Sequence, residues 1–394
     1  RVYADSPLDV VAPPHHVGRI MQDPTTTRIA IGTMTGTSLD GLDLAAVAIG
    51  GAGLEMTVEL LEHRHDPLGA CGPRLRAVCE QVPHSAAEIA ALAHDLGTLH
   101  AESLGDLLRT LGRPVDLVAV HGQTVFHTPP LSWALIDPAP LLQVLDCHLV
   151  TDLRTLDLAR GGEGAPITPL ADWVLFRGEG PRTIVNLGGF CNATHLPERT
   201  GSPHAIRGAD VCACNHLLDA GARRWLQRAY DEDGTVALEG APDPGRAERI
   251  ARDLAGPAGR PRSLGSGDEG FEVVRSLDDL PDPAARLATL VAGLGTRIAD
   301  AIPSGNAVLL FGGGAFNGAL LRVLQDRLGS RRVRIGAPGI GVDQRESVAM
   351  AVLGTLALDG VDITLENVTG RTARLPFRAG RWFLPSRPSA SEYH

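Results

Sequence analysis

The sequence predicts an α/β fold built as two related lobes around a central cleft, and three observations carry that expectation. An apolar strand, a glycine turn and a returning strand occur twice, across residues 28–49 and in shorter form across 183–195. Buried strands then alternate with helical stretches, the pattern of sheets covered on both faces. A third glycine turn, Gly312-Gly313-Gly314, joins a strand at 306–311 to a helix running through Leu324. Two glycine hairpins facing one another would clasp a polyphosphate from both sides, so the duplication is itself a functional signal.

The composition narrows the choices. With 394 residues, 44% hydrophobic and 21% charged, the chain suits two or three domains with a sizeable core. A net charge of -10 argues against a nucleic-acid or anionic-membrane partner, whose binding is driven by clustered cations. All 36 basic residues are arginine. That excludes a Walker-type phosphate loop, a Schiff-base mechanism and a pyridoxal enzyme, each of which needs lysine. The cysteines at 71, 79, 147, 191, 212 and 214 have neither the density nor the spacing of a disulfide scaffold, and a reducing cytoplasm is the simpler setting. No run of about 18 apolar residues occurs, and residues 1–27 lack core periodicity, as expected of a flexible extension.

The first hairpin holds the densest chemistry. Residues 28–32 read as a short buried strand, 33–42 as a turn and 44–49 as the returning strand. Gly32, Gly36 and Gly41 let the backbone approach a ligand. Thr33, Thr35, Thr37 and Ser38 add hydroxyl donors, so the tip can surround phosphate oxygens without a cationic side chain. Asp40 and Asp43 stand beside that anion site, where bare carboxylates repel phosphate. A Mg²⁺ ion held near Asp40 removes the conflict, since this hard cation combines few carboxylates with phosphate oxygens. An ordinary Gly/Thr turn is the plainer alternative.

A third strand at 54–61 and helices at 73–81 and 86–111 follow, the second helix carrying Leu92, Leu96, Leu99, Leu104, Leu107 and Leu108 toward a core. The strand at 115–120 ends in His121-Gly122-Gln123-Thr124-Val125-Phe126-His127, and such a C-terminal strand end is where open α/β sheets place ligands. Short strands are expected at 133–137 and 149–153. Arg154 then offers a planar five-donor cation to an anion or sugar hydroxyl, with a structural salt bridge to Asp152 or Asp157 as the alternative. In the second hairpin, Gly188 and Gly189 form the turn and Asn192 follows on the returning strand. Asp210 precedes a helix starting near His216. Cys212, Cys214 and His216, with Cys191, are candidate metal ligands, but C-x-C-x-H lacks the usual zinc spacing and small buried cysteines are commoner. A helix at 284–301, the triple glycine with Asn317, and a last long helix at 347–358 preceded by Glu346 complete the pattern. Strand, glycine run and helix N-terminus make a backbone cradle for a flat or anionic group.

These motifs resemble one family. G-T-M-T-G-T-S-L-D-G-L-D, from Gly32 to Asp43, is similar to the opening signature G-x-M-S-G-T-S-x-D-G-x-D of the anhydro-N-acetylmuramic acid kinases, sugar kinases of the actin, hexokinase and heat-shock chaperone superfamily. H-G-Q-T-V-x-H, the D-x-R-x-x-D segment followed by G-G-E-G-A-P, N-L-G-G-F-C-N against N-I-G-G-I-A-N, and G-G-G-x-x-N extend the likeness over about residues 28–370. The resemblance implies two ribonuclease-H-like lobes of the actin-like ATPase type around a central nucleotide cleft. Lobe I would comprise 28–145 with 345–394, and lobe II 146–344. It also implies ATP and Mg²⁺ as cofactors and a small sugar as substrate. Gly32, Thr33, Thr35, Gly36, Thr37, Ser38, Gly188, Gly189 and Asn192 would lie on the phosphates, with Asp40 at the metal. Gly312, Gly313, Gly314 and Asn317 would lie beside the adenosine, and His121, Gly122, Gln123, Arg154 and Glu346 at the sugar.

Asp210 matches the family's catalytic base, and the family reaction opens a 1,6-anhydro ring with water while oxygen 6 takes the γ-phosphate. The residues after it depart from the family pattern, Val211-Cys212-Ala213-Cys214 replacing Thr-Gly-Pro-Gly. A remodelled pocket floor is therefore expected, which admits a different sugar or a nucleoside as acceptor. A nucleotide-dependent sugar-binding protein without turnover is a further alternative. Many members of the family pair as dimers, which leaves a homodimer open.

Overall fold

The computed structural model describes residues 27–36, 39–256, 264, 270–329, 332–373 and 377–385. Thr37, Ser38 and the first 26 residues, most of the expected flexible extension, lie outside the described residues. Strands β1 (Arg28–Thr35), β2 (Leu42–Gly50) and β3 (Thr57–Asp66) form an antiparallel meander, and β4 (Leu117–His121) adds to the other side of β1 in parallel. The hairpin β5 (Gln123–Thr128) and β6 (Leu131–Leu135) stands apart as a two-stranded ribbon, after which β7 (His148–Thr151) pairs in parallel with β4. The second sheet repeats the plan. Its strands β8 (Arg182–Leu187), β9 (Phe190–Leu196) and β10 (Arg207–Ala213) are antiparallel, while β11 (Ala307–Phe311) and β12 (Val333–Ile335) run parallel to β8. A short final strand, β13 (Arg381–Phe383), returns to the edge of the first sheet. Apart from that edge strand, both sheets have the order third-second-first-fourth-fifth, which is the ribonuclease-H-like unit twice over.

Two expectations are corrected here. The lobe boundary at 145/146 falls too early for the sheets, because β7 hydrogen-bonds to β4 and β13 and so gives the first sheet residues up to Thr151. A short apolar strand reads the same in either sheet, and only its pairing partners decide. Second, β1 does not stop at Gly32. Thr33 and Thr35 continue it, paired with Leu44 and Leu42, because β-branched residues suit an extended chain, and the turn shrinks to 36–41.

Each sheet has its covering helices. The helix Arg345–Leu358 lies on β1 and β4 with every residue from Ser347 to Ala357 buried, which is why its sequence is apolar all round. The contact is so close that a Cβ on Gly32 would sit 2.0 Å from the Ser347 carbonyl oxygen. On the opposite face the amphipathic helix Ala86–Leu111 packs Leu92, Leu96, Leu104 and Leu107 against Ile31, Val118 and Val120. A Ser85/Glu88 capping box starts it and left-handed Gly112 ends it. Helices Pro283–Asp300 and Gly318–Leu328 cover the outer face of the second sheet. Its inner face, with Ile184 and Phe311, shares one core with Ala30 and Ala119 of the first sheet.

Candidate active site

Strand register sets Asn186 of β8, Asn192 of β9 and Asp210 of β10 side by side across the second sheet. Directly paired residues share a face, and β8 shows which one: Ile184, two residues before Asn186, belongs to the core shared by the sheets, while Val185 and Leu187 belong to the outer core. The polar row therefore faces the first sheet. A β-bulge between Asp210 and Cys212 interrupts the pairing just past the row. Asp210 Oδ2 accepts the Leu264 N–H at 2.6 Å, and Asn186 Nδ2 donates to Glu346 Oε1 at 3.3 Å.

Glu346 reaches Asn186 because its neighbour is pinned. Arg345 Nε and Nη2 donate to Asp172 Oδ1 and Oδ2 at 2.8 and 2.5 Å, both side chains are buried, and the guanidinium lies 5.7 Å from the Phe311 ring centre. Breaking such a buried pair from one side costs about 3–5 kcal/mol. Burial pushes the Glu346 carboxyl above its ordinary value, with Arg345 opposing the rise and Asp43 and Asp40 adding to it. The acid of this helix thus senses the tip of the first hairpin.

Arg154 faces the same space from the first sheet. Its Nε and Nη2 lie 3.2 and 3.1 Å from His121 Nε2, and Nη1 donates to the Gly164 carbonyl at 2.8 Å. A guanidinium cannot accept, so His121 Nε2 is the lone-pair nitrogen and Nδ1 carries the proton. Burial, then the charge of Arg154, holds His121 down to about 3, so it is neutral. Burial also lowers Arg154, against the pull of Asp210 and Glu346, foremost of the charges acting on it. Its hydrogen bonds do not go to Asp152 or Asp157: Asp152 accepts from Thr155, and Asp157 from the Gly164 N–H and Thr369. Nearby, Thr33 Oγ1, Thr35 Oγ1, Gln123 Oε1 and His121 Nδ1 are buried without a protein partner among the described residues. Each such orphan costs about 1–3 kcal/mol unless water or a ligand takes the bond. Gly122 packs against the Leu135 carbonyl and Ile136.

The remaining glycine turns meet at the end of β8. The N–H groups of Cys214 and Asn215, at the start of the helix Asn215–Leu226, donate to the Gly189 and Gly188 carbonyls at 2.8 and 3.0 Å. Because a trans peptide sets N–H opposite C=O, the Gly189 N–H points away from that helix. Gly312, at φ 81, and Gly314 close against the same strand, since a Cβ on either would come within 2.8 and 2.9 Å of Asn186 Oδ1 and Leu187 Cβ. Backbone from two turns therefore lines one narrow place. Asn317, expected beside an adenosine, caps the helix Gly318–Leu328, its Oδ1 accepting the Leu320 N–H at 3.0 Å. Gly32 likewise has a packing reason to lack a side chain.

The family model for anhydro-N-acetylmuramic acid kinase matches residues 28–380. The chain belongs to the anhydro-N-acetylmuramic acid kinase family. A curated relative of that name from Acidithiobacillus ferrooxidans is 33% identical over 354 residues, covering 86% of this chain and 88% of the relative. Others from Gloeobacter violaceus and Bordetella parapertussis are 33% and 35% identical, covering 90% and 88% of this chain and 98% and 94% of theirs. Among solved structures, the ADPNP-bound activator of 2-hydroxyisocaproyl-CoA dehydratase from Clostridium difficile is similar at 13% identity and a TM-score of 0.41, covering 83% of this chain and 94% of that one. Anhydro-N-acetylmuramic acid kinases are sugar kinases. Among the described residues no helix is long and apolar enough to cross a membrane.

The departure from the family pattern after Asp210 lies on the far side of the sheet. Val211, Cys212, Ala213 and Cys214 all pack into the outer core, so these replacements alter the backing of β10, contrary to the expected remodelling of the pocket floor. The metal set drawn from these cysteines and His216 is not assembled either. Among the described residues no three His, Cys, Asp or Glu side chains come together around a metal position. Burial pushes the Cys191 and Cys214 thiols well above their ordinary range, and His216 sits edge-on to Phe190 with centroids 4.9 Å apart. For the same reason a cation beside Asp40 would take one or two carboxylates and complete its shell with phosphate and water oxygens, which suits Mg²⁺. Asn186, Asn215 and the Arg345–Asp172 pair escaped the sequence reading. Asn186 alone left a trace, a polar residue on the inward-facing register of an apolar strand.

Proposed function

We propose that this chain phosphorylates 1,6-anhydro-N-acetylmuramic acid on oxygen 6 with ATP and Mg²⁺, and opens the anhydro ring with water in the same event. The reading rests on the polar row that ends in Asp210, with the half-buried Arg154 cation favoured by the charges of both Asp210 and Glu346. In balance, water oxygen bonds to the anomeric carbon, its bond to oxygen 6 breaks, oxygen 6 takes the phosphoryl group, ADP leaves, and the water proton goes to Asp210. An ionised carboxylate is the state a base requires. Arg154, steered by His121 Nε2 and the Gly164 carbonyl, offers donors to sugar oxygens without titrating. Glu346, tied to Asn186, accepts from a sugar hydroxyl. The Gly188–Gly189 turn and Gly312 to Gly314 receive the nucleotide through backbone, and Asp40 serves as a ligand of its Mg²⁺ ion. When bound, ATP supplies the phosphoryl group and Mg²⁺ neutralises its charge.

The family acceptor is preferred over another sugar or a nucleoside because the four replaced residues turn into the outer core. Asp210→Asn is expected to lower ATP-dependent turnover of the anhydro sugar by about 10³-fold, the range of a lost general base, while nucleotide still binds. Near-normal turnover of that variant would overturn the assignment. A panel of sugars and nucleosides, with wild-type protein, tests the acceptor: a strong preference for any of them over the anhydro sugar refutes it.

A further inference from the structure

Asp43 and His65 face each other directly across β2 and β3, and His63 is the diagonal neighbour on the same face. His65 Nδ1 donates to Asp43 Oδ1 at 2.9 Å, and His63 Nε2 lies 3.4 Å from the same oxygen. Gly41, two residues before Asp43, is shaped for this contact. A Cβ there would lie 2.1 Å from His65 Cε1, so the imidazole rests on bare backbone as it reaches the acid. The stretch matters because carboxylates converge on it: Asp43, Asp40 and Asp343 all act on His65, and Asp43 and Asp40 act on Glu346. A polyphosphate seated at this turn would be repelled by that negative cluster.

We infer that His65, assisted by His63, is a positioning residue for nucleotide binding: it holds the Asp43 carboxylate in place, seats the Gly41 turn and thereby fixes where Asp40 stands. The inference rests on the ATP reading above. A single imidazole hydrogen bond to Asp43 both orients the acid and lessens its repulsion toward phosphate, without a lysine or arginine in the turn. Its signature is a change confined to the nucleotide side of the reaction.

The test is calorimetric titration of the full chain with Mg²⁺-ADP, alongside steady-state kinetics. His65→Ala is expected to weaken Mg²⁺-ADP binding and raise KM for ATP by about tenfold, the worth of one hydrogen bond to a charged group, while kcat and the sugar KM stay within about twofold. His65→Asn, whose amide can donate from near the Nδ1 position, is expected to recover most of the loss, and Gly41→Ala to reproduce it by displacing the ring. His65 is half exposed, so the two His65 variants are expected to keep the wild-type melting temperature. Unchanged Mg²⁺-ADP binding in His65→Ala, or a loss that falls on kcat or the sugar KM, overturns the clamp. Wild-type protein that binds no Mg²⁺-ADP overturns the ATP reading itself.

Discussion

The strand–turn–strand units heading the two sheets share a topology and differ in how their turns are held. In the first, β1 runs deep into the fold with Thr33 and Thr35 buried, and the turn beyond is braced by side chains, Asp43 taking a hydrogen bond from His65 with His63 beside it across β2 and β3. In the second, Gly188 and Gly189 carry no side chains, and their carbonyls are taken by the first N–H groups of the helix Asn215–Leu226. Charged side chains concentrate at the first turn and backbone dipoles at the second. Under the proposed function, this arrangement would offer a triphosphate and its cation two unlike walls, one acidic and able to share a metal, the other able only to donate.

Titration should expose the difference most strongly. The first half holds three histidines neutral through desolvation, buried His100 pushed down to about 4, buried His121 to about 3 and half-buried His127 to about 4; in the second half burial lowers His195. An unfolded histidine takes its proton near pH 6.5, whereas folded His100 waits until about 4, so between those values the unfolded chain binds the extra proton. Stability present above pH 6.5 is therefore lost as pH falls toward 4, by up to about 3 kcal/mol for His100 alone. Denaturant midpoints at pH 7 and 4.5 are expected to show this loss, and His100→Leu to remove a matching part of it. An equal acid slope in that variant would break the claim that the first half sets the acid limit.

How much of this was readable without coordinates differs by turn as well. The alternation of both hairpins, the helix Ala86–Leu111 with its cap, and the glycine runs follow from local pattern, and they define the duplicated plan. Strand β10, R-G-A-D-V-C-A, was not foreseen because it carries no alternation of apolar and polar residues, and its pairing with β9 is what makes it a strand. The same non-local pairing sets Asp210 beside Asn192. Arg345 and Asp172 lie 173 positions apart and carry no motif, so only the packing of two buried helices joins them. Single residues can carry a second, structural role that local pattern does not show: Asn317 is a helix cap, and Gly32 a contact surface for a helix.

Gly32 gives the next sharpest contrast. Its missing Cβ would lie 2.0 Å from the Ser347 carbonyl oxygen and 2.4 Å from the Ala351 nitrogen, both helix backbone that cannot rotate aside. Gly32→Ala is expected to destabilise the fold by about 3 kcal/mol, the upper end for overpacking, with KM for ATP unchanged in the folded protein. Thermal melting paired with kinetics decides: a stable variant with a raised KM for ATP would assign Gly32 to the phosphate site and bring the two turns closer in kind.

At Gly189 the smallest effect is expected, and its cause is separable. A Cβ there would come 2.4 Å from His216 Nε2, so the obstacle is a side-chain ring, which can swing away, and the helix backbone behind it is untouched. Gly189→Ala is expected to cost about 1 kcal/mol of stability, the low end for overpacking, and to raise KM for ATP a few-fold by tilting the turn whose N–H faces away from the helix. Adding His216→Ala removes the obstacle and is expected to restore both quantities. If the double variant keeps the raised KM, the ring is not what the alanine disturbs. The second turn would then depend on the glycine itself, just as the first depends on the recess at Gly41 that admits His65.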